Sequence, residues 1–225
     1  MDIMYIAKRT YPELLPASSY LASRVNVANT LDWEVAISLL EYVNHDHETH
    51  KMIFRPTSLD VVGCSDASYA CHDDGKSRTG GCAGFPGAFF IFISSKQTIV
   101  TKSSTEAELV AINELIDYLV WLKALLEEIE VVSGNAPVLF QDNRSAIMLS
   151  ESGRGSFRRS KHIDVRYFYV YDLVKDGKLT LQWLGTKDLP ADLLTKPKRG
   201  SSFDHLLFLL IGWARGRCEK SKEGV

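Results

Sequence analysis

The chain has no Cys-x-x-Cys pair; its four cysteines, Cys64, Cys71, Cys82 and Cys218, are scattered over 225 residues. Without a paired spacing they read as free thiols of a reducing compartment. No secretory leader opens the sequence. No apolar run approaches the roughly 20 residues that a bilayer crossing needs. The longest near the C-terminus is Leu206-Leu207-Phe208-Leu209-Leu210-Ile211. The expectation is an intracellular, cytoplasmic protein with no membrane partner. An excess of one charge is missing as well: 26 Lys/Arg face 28 Asp/Glu, for a net charge of -2, which excludes a bulk polycation. Internal repeats and low-complexity stretches are absent. What is there is a chain 45% hydrophobic, enough for one large domain or a domain with an appendage, and for a core that needs no disulfides.

The charge is distributed unevenly. Residues 1–60 carry five Lys/Arg and eight Asp/Glu, whereas Arg154, Arg158, Arg159, Lys161 and Arg166 fall within thirteen residues beside a single acid, Asp164. A local basic stripe in a neutral protein fits a nucleic-acid backbone contact, and equally a solvated loop.

The chain reads as an α-helical appendage over 1–55 and a main domain that begins near Leu59, with a helical, then basic, tail. In the appendage, residues 12–25 carry Leu14, Leu15, Tyr20 and Leu21 at helical spacing. A second helix is expected after a Thr30 cap, with Trp33, Val35, Ala36, Leu39, Leu40 and Val43 on its apolar face. His45, His47 and His50 read as a solvated turn, since nothing suggests a fourth metal ligand. In the main domain, strands are expected at 59–66, 80–85, 88–94, 137–141 and 179–184, the second and third joined by a Pro86-Gly87 turn. A long helix capped by Ser104 or Thr105 reaches about residue 130, its stripe running through Leu109, Ile112, Leu115, Ile116, Leu119, Leu122, Leu125 and Leu126. Asp142-Asn143 ends the fourth strand and caps a helix over 146–151, another helix covers 160–175, and Pro190 opens a short one that carries Asp192. A strand meander followed by βα units predicts an α/β fold, a mixed five-stranded sheet with helices on both faces.

Four acidic residues stand where such a fold gathers its site. Asp66 ends the first strand and Asp142 follows the fourth. Parallel neighbours would bring both to one sheet edge. Glu108 lies in the first turns of the long helix, beside Leu109. Glu106 competes with it, but residues two apart on a helix point about 200° apart, so only one faces inward. Asp192 follows the last strand. Carboxylates drawn together raise one another's pKa values, and oxygen-rich clusters suit Mg2+ or Mn2+. Two such ions about 3.5–4 Å apart can clamp a scissile phosphate, so the reading is a two-metal nuclease. Each Asp is also a common cap or turn residue, and Glu108 taken alone is a surface helix position.

The runs around these residues resemble a known family. Ser65-Asp66-Ala67-Ser68-Tyr69, Gly75-Lys76-Ser77-Arg78-Thr79-Gly80, Ser94-Ser95-Lys96-Gln97, Lys102-Ser103-Ser104-Thr105-Glu106-Ala107-Glu108-Leu109, Gln141-Asp142-Asn143-Arg144-Ser145-Ala146, Lys161-His162-Ile163-Asp164-Val165-Arg166-Tyr167 and Ala191-Asp192-Leu193-Leu194-Thr195-Lys196-Pro197 occur in order over residues 57–200. Together they are similar to the ribonuclease H domain of copia-type LTR retrotransposon Pol polyproteins, and residues 1–56 resemble the end of the preceding reverse transcriptase region. The resemblance implies a ribonuclease H-like fold and sets the divisions of the chain at 1–56, 57–200 and 201–225. It also implies a metal-binding quartet at Asp66, Glu108, Asp142 and Asp192, two Mg2+ ions (Mn2+ substituting), and cleavage of the RNA strand of an RNA–DNA hybrid. The reverse transcriptase portion of the same polyprotein would be the partner. The Tyr-x-Asp-Asp type motif of the polymerase is absent, so no DNA synthesis is expected. The histidine that many cellular ribonucleases H carry before the last Asp has no counterpart in Gly185-Thr186-Lys187-Asp188-Leu189-Pro190. For substrate grip, Arg154, Arg158, Arg159 and Lys161 are candidate phosphate contacts, with Ser68, Asn143 and Ser145 flanking the site. Two other readings compete. One is a catalytically silent remnant that binds nucleic acid. The other is a strand-transfer enzyme, which places its Glu last, whereas here the Glu comes second.

Overall fold

The computed structural model describes the backbone of residues 2–48, 50–131, 134–152 and 161–212, with the side chains of these except Asp2, Asp46 and residues 161–167. Five strands, β1 (Val62–Ser68), β2 (Arg78–Phe85), β3 (Ala88–Lys96), β4 (Val138–Gln141) and β5 (Thr180–Trp183), form one sheet in the order β3-β2-β1-β4-β5. The first three are an antiparallel meander, and β4 and β5 add in parallel, as a hairpin followed by βα units requires. The α-helices are α1 (Asp2–Arg9), α2 (Leu15–Ser23), α3 (Thr30–Asp46), α4 (Ser104–Glu128), α5 (Arg144–Ser152), α6 (Lys161–Lys175) and α7 (Gly200–Ile211). Short 3-10 turns at Pro12–Leu14, Val25–Val27, Thr186–Asp188 and Pro190–Leu194 link them. Among the described residues no helix is long and apolar enough to cross a membrane.

Each face of the sheet has its own core. The stripe of α4 buries Ile112, Leu115, Ile116 and Leu119 completely against Ala83, Leu139 and Leu181 of the sheet, with Ala146 and Ile147 of α5 and Val170 of α6 alongside. Burial of each such Leu or Ile contributes roughly 2 kcal/mol. On the other face, Cys64, Cys82 and Phe92 meet Leu189, Leu193 and Leu194, Leu206, Leu207 and Leu210 of α7, and Ala7, Tyr11, Leu14 and Leu15 of the N-terminal segment. The first helices and the last thus share one apolar cluster. Cys64, Cys71 and Cys82 are free thiols.

Several local expectations are corrected. The cap of α4 is Ser103, whose hydroxyl accepts from the Glu106 N–H at 3.2 Å, and not Ser104 or Thr105. Asn29 caps α3 in place of Thr30, because Asn29 and Asp32 bond each other's backbone reciprocally. Of the apolar face expected on α3, only Leu39 and Val43 reach the core, while Trp33 is 68% exposed and Leu40 46%. An ion pair from Arg24 to Asp32 at 2.8 Å turns Asp32 toward the protein and the apolar positions beside it outward. His50 is not in a solvated turn: its ring stacks on Tyr11 with centroids 3.9 Å apart, and Nε2 lies 2.7 Å from the Thr10 carbonyl. Helix α1, for which the sequence pattern offers no cue, supplies Ala7 to the second core.

Candidate active site

Asp66 does not end its strand. Pairing of β1 with β2 runs on through Asp66–Gly80 to Ser68–Arg78, so the carboxylate is inside the sheet edge and 1% exposed. Small residues on both sides, Ser65, Ala67 and Ser68, let the strand continue past the charge. β4 pairs in parallel with β1, and Asp142 follows its last residue, so both carboxylates emerge at the same end. From α4, Glu108 points inward and is 6% exposed, whereas the Glu106 carboxylate turns back to accept from the Lys102 N–H at 2.6 Å. Asp66, Glu108 and Asp142 each present an oxygen, and the three atoms all lie within 4.8 Å of one another.

Gln141 organises this group, a role the sequence reading missed. It is fully buried and its amide nitrogen donates to Glu108 Oε2 at 3.1 Å and Ser65 Oγ at 3.2 Å. Its carbonyl accepts from the backbone N–H of Asp142 at 2.7 Å and of Asn143 at 3.2 Å. One side chain thereby sets both the Glu108 carboxylate and the turn that carries Asp142. Asp142 is further held by Thr186 Oγ1, which donates to Oδ2 at 2.6 Å, and by Trp183 Nε1, which donates to its carbonyl at 3.0 Å.

Asp192, on the 3-10 turn Pro190–Leu194, is 1% exposed and shares Lys196 with Asp66. It is outside the three-carboxylate group and pairs with cations of its own chain: Lys196 Nζ lies 3.3 Å from Oδ1, and Lys198 Nζ pairs with Oδ2. Lys196 also reaches Asp66 Oδ2 at 3.6 Å, while Thr195 Oγ1 donates to the same oxygen. The turn can approach this closely because residue 80 is glycine. A Cβ there would sit 2.5 Å from Thr195 Cγ2 and 2.8 Å from the Ala191 carbonyl.

Burial dominates the electrostatics. It pushes the Asp66 carboxyl up to about 6, with Asp192 and Asp142 adding to the rise and Lys196 and Thr195 opposing it. Burial, then Asp66 and Asp142, pushes Glu108 up to about 9. Burial alone would lower the Lys196 ammonium, yet Asp66, Asp192 and Glu108 hold it above its ordinary value. The site thus wants positive charge, and in this structure a lysine supplies part of it.

The other candidates divide. Of the pair Asp142-Asn143 expected to cap α5, Asn143 does so, accepting from the Ala146 N–H at 3.1 Å. Ser145 is exposed on the first turn of α5, and Ser68 lies two residues beyond Asp66 in β1. Arg154, Arg158 and Arg159 lie outside the described residues, as do the side chains of Lys161 and His162.

No family model matches the chain. It is 30% identical over 204 residues to the retrovirus-related Pol polyprotein from transposon TNT 1-94 of Nicotiana tabacum, which covers 90% of this chain. A second relative, the Pol polyprotein from transposon RE2 of Arabidopsis thaliana, is 29% identical over 205 residues, or 91% of this chain. The chain is a homologue of copia-type retrotransposon Pol polyproteins. It spans 15% of the length of the first and 14% of the second. Among solved structures it is similar to the foamy viral protease-reverse transcriptase in complex with RNA/DNA hybrid, with a TM-score of 0.51 and 14% identity over 88% of this chain and 25% of that one. The fold of this Pol homologue is ribonuclease H-like, a mixed five-stranded sheet flanked by helices.

Proposed function

We propose that the chain is a ribonuclease H that hydrolyses the RNA strand of RNA–DNA hybrids with two divalent ions, Mg2+ or Mn2+, within a retrotransposon Pol protein. The observation that carries this is the convergence of Asp66, Glu108 and Asp142 within 4.8 Å at one edge of a ribonuclease H-like sheet. Hard carboxylate oxygens in that number fit Mg2+ or Mn2+, and the raised Asp66 and Glu108 carboxyls are what a cluster lacking its counter-charge displays. Asp66, Glu108 and Asp142 would hold one ion; Asp66 and Asp192 would hold the second once Lys196 gives way. When bound, such ions supply a Lewis acid for the scissile phosphate and an ionised water as nucleophile. The chain's own part is to orient ligands: Gln141 aims Glu108, Thr186 fixes Asp142 and Thr195 fixes Asp66.

The division of the chain follows from the same reading. Residues 1–56 would be the end of the reverse transcriptase region, 57–200 the nuclease domain and 201–225 a C-terminal helix and basic tail, with the reverse transcriptase portion as partner. The hybrid is the first substrate to try, because the foamy viral protein that shares the fold is solved with one.

Cleavage of a labelled RNA–DNA hybrid in Mg2+ or Mn2+, with duplex DNA and single-stranded RNA as controls, tests the proposal. Hybrid-only cleavage that drops by at least about 10²-fold in Asp66→Asn is expected. A well-folded protein that leaves the hybrid intact, alone and with the reverse transcriptase region added, overturns it in favour of a silent nucleic-acid-binding module.

A further inference from the structure

A groove of about 460 Å³ opens beside the carboxylate cluster on the second face of the sheet. Ser68 and Arg78 line it from β1 and β2, Lys196 and Lys198 from the segment after Asp192, and Tyr20 from α2. Arg78 is its unusual member. The residue is 5% exposed, yet among the described residues no carboxylate lies within ion-pair distance of its guanidinium. It donates to Ser94 Oγ at 3.1 Å, and the Cys71 thiol lies beside it. A guanidinium carries five donors in a planar fork, and buried charges are ordinarily paired. Burial lowers the pKa of Arg78, and Cys71 beside it opposes the shift only in part.

Two further observations point the same way. His72 also lines the groove, and its Nε2 is buried without a hydrogen-bond partner. Glu13, an acid on the groove wall, is occupied by the Tyr42 hydroxyl at 3.1 Å and by His50 at 3.8 Å. Lys196 and Lys198, for their part, are held by Asp66 and Asp192, two of the proposed metal ligands. Were divalent ions to take those carboxylates, both ammonium groups would be freed in the groove that Arg78 lines. The groove would then offer three cations next to the carboxylate cluster, and the ligand that matches is a chain of phosphates.

We infer that this groove is a phosphate subsite for one strand of the hybrid, with Arg78 as its fixed anchor and Lys196 and Lys198 turning onto neighbouring phosphates when metal ions load. The inference rests on the hybrid-cleaving reading and adds to it a binding path coupled to metal occupancy.

The test is fluorescence anisotropy of a labelled RNA–DNA hybrid with the full chain, titrated against salt in Ca2+ and in EDTA. Arg78→Met is expected to weaken binding about tenfold and to flatten the plot of log affinity against log salt by about 0.7–0.9, one phosphate contact, in both conditions. Lys198→Met, at a position away from the sheet, is expected to flatten it by a similar amount in Ca2+ and not in EDTA. If Arg78→Met does not melt cooperatively, Lys198→Met decides alone. Unchanged slopes in folded variants, or weaker binding at an unchanged slope, overturn the subsite while the wild type's hybrid binding leaves the nuclease reading standing. A wild type that binds no hybrid, alone and with the reverse transcriptase region added, overturns both.

Discussion

Glu108→Gln isolates the electrostatic burden of the carboxylate cluster. In the metal-free protein Glu108 is pushed up to about 9 and Asp66 to about 6, against ordinary values of 4.5 and 3.8. Over the intervening range the folded state holds more protons than the unfolded one, so stability falls as pH rises. The contribution of each carboxyl is complete below its unfolded value and is lost as pH climbs toward its folded one: from 3.8 to about 6 for Asp66, and from 4.5 to about 9 for Glu108. At pH 8 an unfolded Glu is ionised while Glu108 still keeps its proton, which costs at most about 5 kcal/mol at about 1.36 kcal/mol per pH unit; Asp66 adds about 3 kcal/mol. The two groups share one site, so the costs do not add, and a loss of about 3–5 kcal/mol between pH 5 and pH 8 is expected. Gln keeps the shape and a carbonyl for the Gln141 amide, but has no proton to hold. Scanning calorimetry in EDTA should find Glu108→Gln melting about 6–20 °C above the wild type at pH 8 and close to it at pH 5, given about 2–4 °C per kcal/mol for a chain of this size. Mg2+ at pH 8 should raise the wild type and hardly move the variant. A wild type equally stable at pH 5 and pH 8 in EDTA, or a variant that melts lower at pH 8, would refute the reasoning.

Two further substitutions probe how the site is held. Gly80→Ala places a Cβ 2.8 Å from the Ala191 carbonyl and must push the Asp192 turn off the sheet, so a loss of about 1–3 kcal/mol by denaturant unfolding, with reduced Mg2+ affinity by calorimetry, is expected; a variant of wild-type stability would contradict the close approach. Gln141→Leu leaves Glu108, Ser65 and two backbone N–H groups without their partner, which should cost about 2–4 kcal/mol and lower Mg2+ affinity about 10–100-fold. Were metal affinity to survive that change, Gln141 would be a core residue only.

Local chemistry is written plainly into this chain. The 3.6-residue stripe of α4 announces both its length and the face it buries, and Pro86-Gly87 between two alternating runs announces the β2–β3 hairpin. The choice of Glu108 over Glu106 also follows from helix geometry, since the two cannot face the same way. Caps were legible only to within a residue, because Ser103, Ser104 and Thr105 offer the same hydroxyl chemistry and the fit to the sheet selects among them. The exposed apolar residues of α3 and the stacked ring of His50 depend on partners about thirty and forty residues away, as with Tyr42 on Glu13 and His50 on Thr10. Tertiary structure alone decided the company the carboxylates keep. β1 pairing with β4 brings Asp142 to Asp66, Gln141 ties it to Glu108, and Gly80 admits Lys196 between Asp66 and Asp192. Such contacts join residues up to about 130 apart in sequence, so they follow from strand order and close packing, which no local pattern of residue types encodes.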